Sequence, residues 1–199
     1  MGRAVRKLFA LAVVLAMAFV VHCDRGESIQ TDTAAVVDSE LLAFLSLARA
    51  HHHEANLLEA SGDSAGAIAA LRKIVDAPKP HPGQRFPEVE EVLADTYARM
   101  AELELASNDL VGAERDVTTG LTHATEPTYF RGHLLEVSGI IEEAHTAALV
   151  DGGHTAEADK TRAHALALLR EAVDVQEAVI SRVLDARAPA TGLNDGGAR

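Results

Sequence analysis

Residues 48–78, ARAHHHEANLLEASGDSAGAIAALRKIVDAP, decide the fold that we expect for this chain. Ala55 and Ala67 lie twelve residues apart, and Gly62 and Asp63 stand between them as a turn signal. Small residues on both sides of a turn let two helices approach closely, while larger apolar side chains fill the space around them. The stretch therefore predicts a helical hairpin.

The same pattern occurs again further along the chain. Within residues 94–121, ADTYARMAELELASNDLVGAERDVTTGL, Ala101 and Ala113 are also twelve residues apart. A third pair of small residues, Gly139 and Ala165, is 26 residues apart. Between this third pair we expect an extended turn or added helical length.

These paired small residues resemble tetratricopeptide repeats, and the resemblance covers about residues 48–179. It implies three antiparallel helical hairpins that form a short right-handed α-α superhelix. The chain differs from the family pattern at Glu104, where an aromatic residue or leucine is common. It also differs in its longer spacing, which is 46 residues from Gly62 to Asn108. An irregular helical bundle is the structural alternative.

Caps and helix breakers predict six helices within residues 38–187. No stretch alternates apolar and polar residues over a strand length, so the fold class that we expect is all-α, without a sheet. The first helix starts after Asp38 or Ser39, and Asp63 or Ser64 caps the second. Thr155 caps the sixth. The predicted helices end at about residue 60, 76, 106, 123, 149 and 186, and the third to fifth begin at about 87, 110 and 127.

The first 22 residues read as a signal peptide of a bacterial exported protein. A basic start, MGRAVRK, precedes fourteen consecutive apolar residues from Leu8 to Val21. Fourteen helical residues reach about 21 Å, short of the roughly 30 Å hydrocarbon core of a membrane. We therefore expect this segment to direct export to the cell envelope.

Cys23, the single cysteine, follows the apolar run directly. Val20 to Cys23 resembles the lipobox of bacterial lipoproteins, although His22 stands where that motif prefers Gly or Ala, and the resemblance implies a lipid on Cys23. Two alternatives remain open: cleavage after Ala16-Met17-Ala18, which would release a soluble periplasmic protein, and an uncleaved anchor. We expect residues 23–37 to form a flexible tether between the lipid and the folded domain. We expect residues 188–199 to form a disordered tail.

The net charge of the chain limits the classes of partner that we expect. Its 199 residues carry a net charge of −12, from 30 acidic and 18 basic residues. This balance counts against nucleic acid as a partner, because phosphate binding needs clustered Lys and Arg. Thirteen acidic residues against three basic ones lie between Glu88 and Glu143, so we expect a partner protein with a basic segment.

The family resemblance implies a concave groove lined by the first helix of each hairpin. Its side chains would contact a partner protein, although a merely solvated polar face is the simpler interpretation. We therefore expect a non-catalytic interaction module. The candidate groove residues are Arg49, His52, Asn56 and Glu59 in the first copy, Asp95, Ala98, Arg99, Glu102 and Leu105 in the second, and His133, Glu136, Ile140 and Glu143 in the third.

Catalytic and metal motifs are incomplete in this sequence. No phosphate loop, nucleophile elbow or H-E-x-x-H occurs, and a helix turns His51, His52 and His53 away from one another. One E-x-x-H motif spans residues 142–145, whereas di-iron bundles need two. We expect no enzyme activity, cofactor or metal. A helical-bundle carrier of a ligand or metal, using histidines 145, 154 and 164, and a structural subunit of an envelope complex are the alternative functions.

Overall fold

The structure, a computed structural model, describes residues 38–187. Six helices and no strand occur in this range, which confirms the all-α prediction. The expected signal peptide, Cys23, the tether and the C-terminal tail lie outside it. None of the helices that the structure describes is both long and apolar enough to cross a membrane. The helices are α1 (Ser39–Ala60), α2 (Ser64–Asp76), α3 (Pro87–Ala106), α4 (Leu110–His123), α5 (Tyr129–Asp151) and α6 (Thr155–Arg187).

The helix starts follow from capping side chains. Asp38 accepts hydrogen bonds from the backbone N–H groups at the start of α1, and Asp63 and Asp109 do the same for α2 and α4. Helix α5 begins two residues later than predicted, because Thr128 and not Pro127 caps it. The Thr128 hydroxyl accepts a hydrogen bond from the backbone N–H of Arg131 at 3.3 Å.

One turn geometry joins the two helices of all three hairpins. Its central residue is Gly62, Asn108 or Gly153, with φ of 85°, 61° and 79°. The N–H of the following residue donates to a carbonyl five positions back, at 2.8 to 2.9 Å. Glycine and asparagine are the residues that adopt such left-handed backbone most readily. The turns therefore repeat every 46 and then 45 residues.

The third hairpin contains added helical length between Gly139 and Ala165, which is one of the two possibilities that we expected, and not an extended turn. Its turn contains only residues 152–154 and is as short as the other two, so the extra length is helical. Counting from the turn, the equivalent of Ala67 and Ala113 is Ala158, which is also buried. Ala165 lies two helical turns further along α6.

The small residues lie where the helices approach each other, as predicted. Ala55, Ala67, Ala101 and Ala113 are all fully buried. Gly139 on α5 lies directly against α6, since a Cβ atom added there would lie only 2.7 Å from the Cγ atom of Leu169. Larger apolar side chains surround these contacts and form the core.

The hairpins stack in chain order. Each second helix packs on the following first helix, α2 on α3 and α4 on α5, and the first helices α1, α3 and α5 also contact their neighbours. One buried cluster joins the first and second hairpins, and another joins the second and third. Helix α6 contacts only α5 among the helices of residues 38–187.

Candidate partner-binding face

The predicted groove residues of α1 and α3 meet along the line where these helices touch. His52 Nε2 lies 3.1 Å from the hydroxyl of Thr96 and 3.9 Å from a carboxylate oxygen of Asp95. Arg99 Nη2 donates to Glu59 at 2.5 Å. Burial lowers the pKa of His52, and the Asp95 carboxylate offsets part of this effect. The joint therefore combines a hydrogen bond with an ion pair.

The α3–α5 joint also brings two predicted residues together. His133 Nε2 lies 3.0 Å from a carboxylate oxygen of Glu102. The hydrogen bond from His133 lowers the pKa of Glu102, and the same bond raises the pKa of His133. We call the surface formed by these residues of α1, α3 and α5 the partner face.

Five other predicted positions lie on the same helices, at helical spacings from these contacts, and extend the partner face. Arg49 and Asn56 are exposed on α1, and Glu136, Ile140 and Glu143 lie on the side of α5 that borders α6. Two positions belong to the core instead of the groove: Ala98 is fully buried in the cluster that joins the second and third hairpins, and Leu105 packs against it. The small side chain of Ala98 lets the neighbouring helix approach, so it offers no surface to a partner.

The charge of the partner face is less negative than we expected. Of the five predicted carboxylates, Glu59, Asp95 and Glu102 lie within 4.0 Å of an arginine or histidine nitrogen on a neighbouring helix. Within residues 38–187, Glu136 and Glu143 form no ion pair. The uncompensated negative charge is thus confined to the α5 end of the face.

A buried charge cluster at the junction of α2, α3 and α4 is absent from the sequence predictions. The carboxylates of Glu104 and Asp116 are 4% and 3% exposed. Arg115 donates to Glu104 at 3.1 Å and to Asp116 at 2.7 Å, and Arg72 lies 3.4 Å from Glu104. Burial, together with the nearby Asp116 carboxylate, raises the pKa of Glu104 to about 7. The departure from the family pattern at Glu104 was the sequence signal for this cluster.

A cavity of about 360 Å³ lies where the start of α3, the end of α4 and the start of α5 converge. Glu90 lines it, and both Arg85 and His123 bind this carboxylate, at 2.5 and 2.9 Å. Ala94 and Phe130 supply apolar walls. Glu91 and Glu126 also line the cavity, but most of its lining surface is apolar.

The histidines considered as metal ligands point to separate carboxylates. His145 Nε2 lies 2.8 Å from Glu114 on α4, and His164 Nδ1 lies 3.1 Å from Glu142 on α5. No group of three histidine, cysteine or acidic side chains in the described part of the chain is close enough to hold a metal ion. His145 and His164 are therefore held by two different carboxylates and do not meet at one site.

A row of exposed apolar side chains follows α6. Leu166, Val173 and Ile180 are 46%, 55% and 57% exposed, and Val183 and Leu184 continue the row. Two grooves of about 230 and 330 Å³ run between this row and α5, and Glu143 and Glu136 line them. We call these five apolar residues the α6 stripe.

Comparisons with protein-family models, with curated proteins and with solved structures find no match to this chain.

Proposed function

We propose that this chain is a non-catalytic protein-interaction module of the bacterial cell envelope, anchored by a lipid on Cys23. Its partner face receives a basic segment of another envelope protein. The observation that supports this function best is that predicted residues from three separate helices lie on one face and contact each other at both helix joints. A surface formed by successive helices suits an extended peptide or helix.

The proposal includes a short right-handed superhelix of hairpins that are similar to tetratricopeptide repeats. Three hairpins with one turn geometry support it, as does the packing of each second helix on the next first helix. The repeat of 45 to 46 residues is longer than the 34 of that family. The added length lies in longer helices and in the connectors between hairpins.

The basic character of the partner rests on two side chains. Glu136 and Glu143 are exposed on α5, and no ion pair with either occurs within residues 38–187. Exposed carboxylates attract a cationic segment mainly through long-range steering, which salt screens over about 10 Å at 0.1 M ionic strength. Binding should therefore weaken as salt rises.

Site-specific photo-crosslinking in the bacterium that produces the full chain tests the face. A photoreactive residue replaces Asn56, which is exposed on the partner face, and the matched control replaces Thr118, which is exposed on α4. We expect a discrete adduct from position 56 that disappears at high salt and in a variant with Glu136→Lys and Glu143→Lys. Equal adducts from both positions, or none from position 56, would contradict the proposal.

The anchor has its own test. Cells labelled with a palmitate analogue should produce labelled full chain, and Cys23→Ala should abolish the label, because the thiol is the site of acylation. Asp24→Ala serves as the neighbouring control and should retain the label. Unlabelled parent protein in the soluble periplasmic fraction would rule out the anchor.

The cavity between α3, α4 and α5 favours a second candidate, a carrier of a small apolar ligand. Its volume of about 360 Å³ falls within the range of small-molecule pockets. A fluorescent apolar probe should then bind saturably to the full chain, and Thr125→Phe, at an exposed residue of the cavity lining, should displace it by filling the cavity. Binding unchanged in this variant would place the probe elsewhere.

A further inference from the structure

The α6 stripe has the spacing of a helix-pairing seam. Leu166, Val173 and Ile180 repeat every seven residues, and Leu169, Gln176 and Val183 follow three positions after each of them. This is the a and d pattern by which two helices pack along their length. Leu169 and Gln176 lie at the border with α5, where they also pack against Gly139 and Gly132. From Leu166 to Leu184 the seam is about 27 Å long.

In the preceding hairpins the positions equivalent to the start of the stripe are covered by a helix. At spacings of 46 and 45 residues, Leu166 is equivalent to Val75 on α2 and Leu121 on α4. Both of those side chains are half-buried and pack against the core formed with the following first helix. No such helix follows α6 within residues 38–187. Leu166, the first residue of the stripe, therefore lies at a position that a following helix covers in the first two hairpins, and the rest of the stripe extends beyond the lengths of α2 and α4.

We propose that α6 of a second copy of this chain occupies this surface, antiparallel to α6 of the first. In that register a positions meet d positions, so Leu166 faces Val183 of the second copy and Leu169 faces its Ile180. Val173 then faces Gln176, and the two-fold axis passes between residues 174 and 175. Every contact occurs twice, as a closed dimer requires.

Charge selects this occupant and this direction. Arg170 and Glu177 occupy the e positions that flank the seam, both are exposed, and neither has an ion pair in the described range. Antiparallel e positions face each other, so Arg170 of each copy lies beside Glu177 of the other. In a parallel pair the same residues would face Ala165 and Ala172. Only the antiparallel dimer forms two reciprocal ion pairs.

The fold itself already uses this direction. Glu114 near the start of α4 contacts His145 near the end of α5, and Arg131 near the start of α5 donates to the carbonyl of Ala124 beyond the end of α4. The helix that covers α4 is therefore antiparallel to it. The second copy's α6 would take the same direction on the same kind of surface.

Charge reversal tests the dimer in the purified full chain, held in a mild detergent at about 1 to 100 μM. A seam of this length is small for an interface, so we expect a dissociation constant in roughly the micromolar range. Sedimentation velocity should show Arg170→Glu and Glu177→Arg each weakening the dimer about tenfold. The double variant should restore it to within about threefold, because the reciprocal pairs form again with exchanged signs.

Two further variants complete the experiment. Val173→Asp places a charge in the centre of the seam and should abolish the dimer, while circular dichroism shows retained helix. Asp174→Arg changes the charge of the same helix by two, as the single reversals do. It lies outside the seam, so it should leave the dimer unchanged. A monomer at every concentration, or a dimer that these reversals leave unchanged, would overturn the proposal, as would a double variant that stays as weak as the single ones.

Discussion

The second helices of the three hairpins begin alike but lie in different surroundings. Each follows a turn with a left-handed central residue and starts with a buried alanine three positions into the helix. Helices α2 and α4 are then covered by the next first helix, and Val75 and Leu121, the equivalents of Leu166, are half-buried. Helix α6 is covered on the α5 side alone, so Leu166 remains half-exposed.

This difference shows that the formation of a hairpin and the burial of its side chains have separate causes. The turn and the small residues determine that a hairpin forms, whereas the neighbouring hairpin determines which of its side chains are buried. The second helices of the first two hairpins are therefore enclosed, whereas that of the third is terminal within residues 38–187. Four substitutions, each read out as a change in stability, test this difference between the hairpins.

The largest effect is expected at the joint between the second and third hairpins. Leu134 is fully buried there, and Leu134→Ala should lower the free energy of unfolding by about 2 to 5 kcal/mol, because it loses apolar contacts and leaves a cavity. Leu57→Ala, at a leucine that is 62% exposed on α1, should change it by less than about 0.5 kcal/mol. Chemical denaturation of the full chain measures both, and equal losses would show that Leu134 does not join the hairpins.

The buried carboxylates of the second hairpin should make the stability of the protein depend on pH. The pKa of Glu104 is raised to about 7 in the folded protein, above its ordinary value near 4.5. The folded state therefore holds this proton more tightly, so the contribution of Glu104 to stability is fully present below about pH 4.5 and is lost as pH rises through 7. The loss amounts to roughly 3 kcal/mol at most.

Glu104→Gln removes this proton site. The stability of the variant relative to the parent should therefore increase between pH 5 and pH 8, whatever its constant offset. Glu126→Gln, at an exposed carboxylate, is the control and should show no such slope. A Glu104→Gln difference that is flat across this range would refute the raised pKa.

The close contact within the third hairpin should be sensitive to a single methyl group. Gly139→Ala places a Cβ atom 2.7 Å from Leu169 Cγ, so we expect overpacking to cost about 1 to 3 kcal/mol despite the better helix propensity of alanine. Leu169→Ala in the same chain should relieve the clash. Thermal unfolding of the double variant should then show less destabilisation than the sum of the single variants, and simple additivity would place the two residues apart.

The smallest effect is expected at the α1–α3 joint. The ion pair between Arg99 and Glu59 is partly exposed, and such pairs contribute about 0.2 to 1 kcal/mol. Glu59→Gln should lower stability by that amount at low salt and by almost nothing at 1 M salt. A loss that persists at high salt would mean that the pair contributes through packing.

Local signals predicted the helices well, because caps and breakers act within a few residues. Asp63 and Asp109 begin their helices as expected. The turn of the third hairpin was predicted as well, since the fifth helix was expected to end at about residue 149 and Thr155 to cap the sixth. The small residues left open what lies between Gly139 and Ala165, because this pair meets further from the turn than the small residues of the other two hairpins.

The candidate face was predicted in outline and not in its charge balance. The positions of His52, Glu102 and His133 on their helices follow from periodicity, but their pairing across helices depends on how the hairpins stack. The exposure of the α6 stripe likewise depends on a covering helix, which no property of α6 alone reveals. A heptad of apolar residues predicts a packed surface without naming what packs on it.

Because one turn recurs every 45 to 46 residues, the array can be lengthened by adding whole repeats. The segment from Ser61 to Ala106 begins at one turn and ends directly before the next equivalent one. A duplication of this segment would therefore join in register, and it would lengthen the array by one hairpin while keeping both terminal surfaces. Proteins built in this way change length in whole units, so engineering or evolution can enlarge the partner face without redesigning its ends.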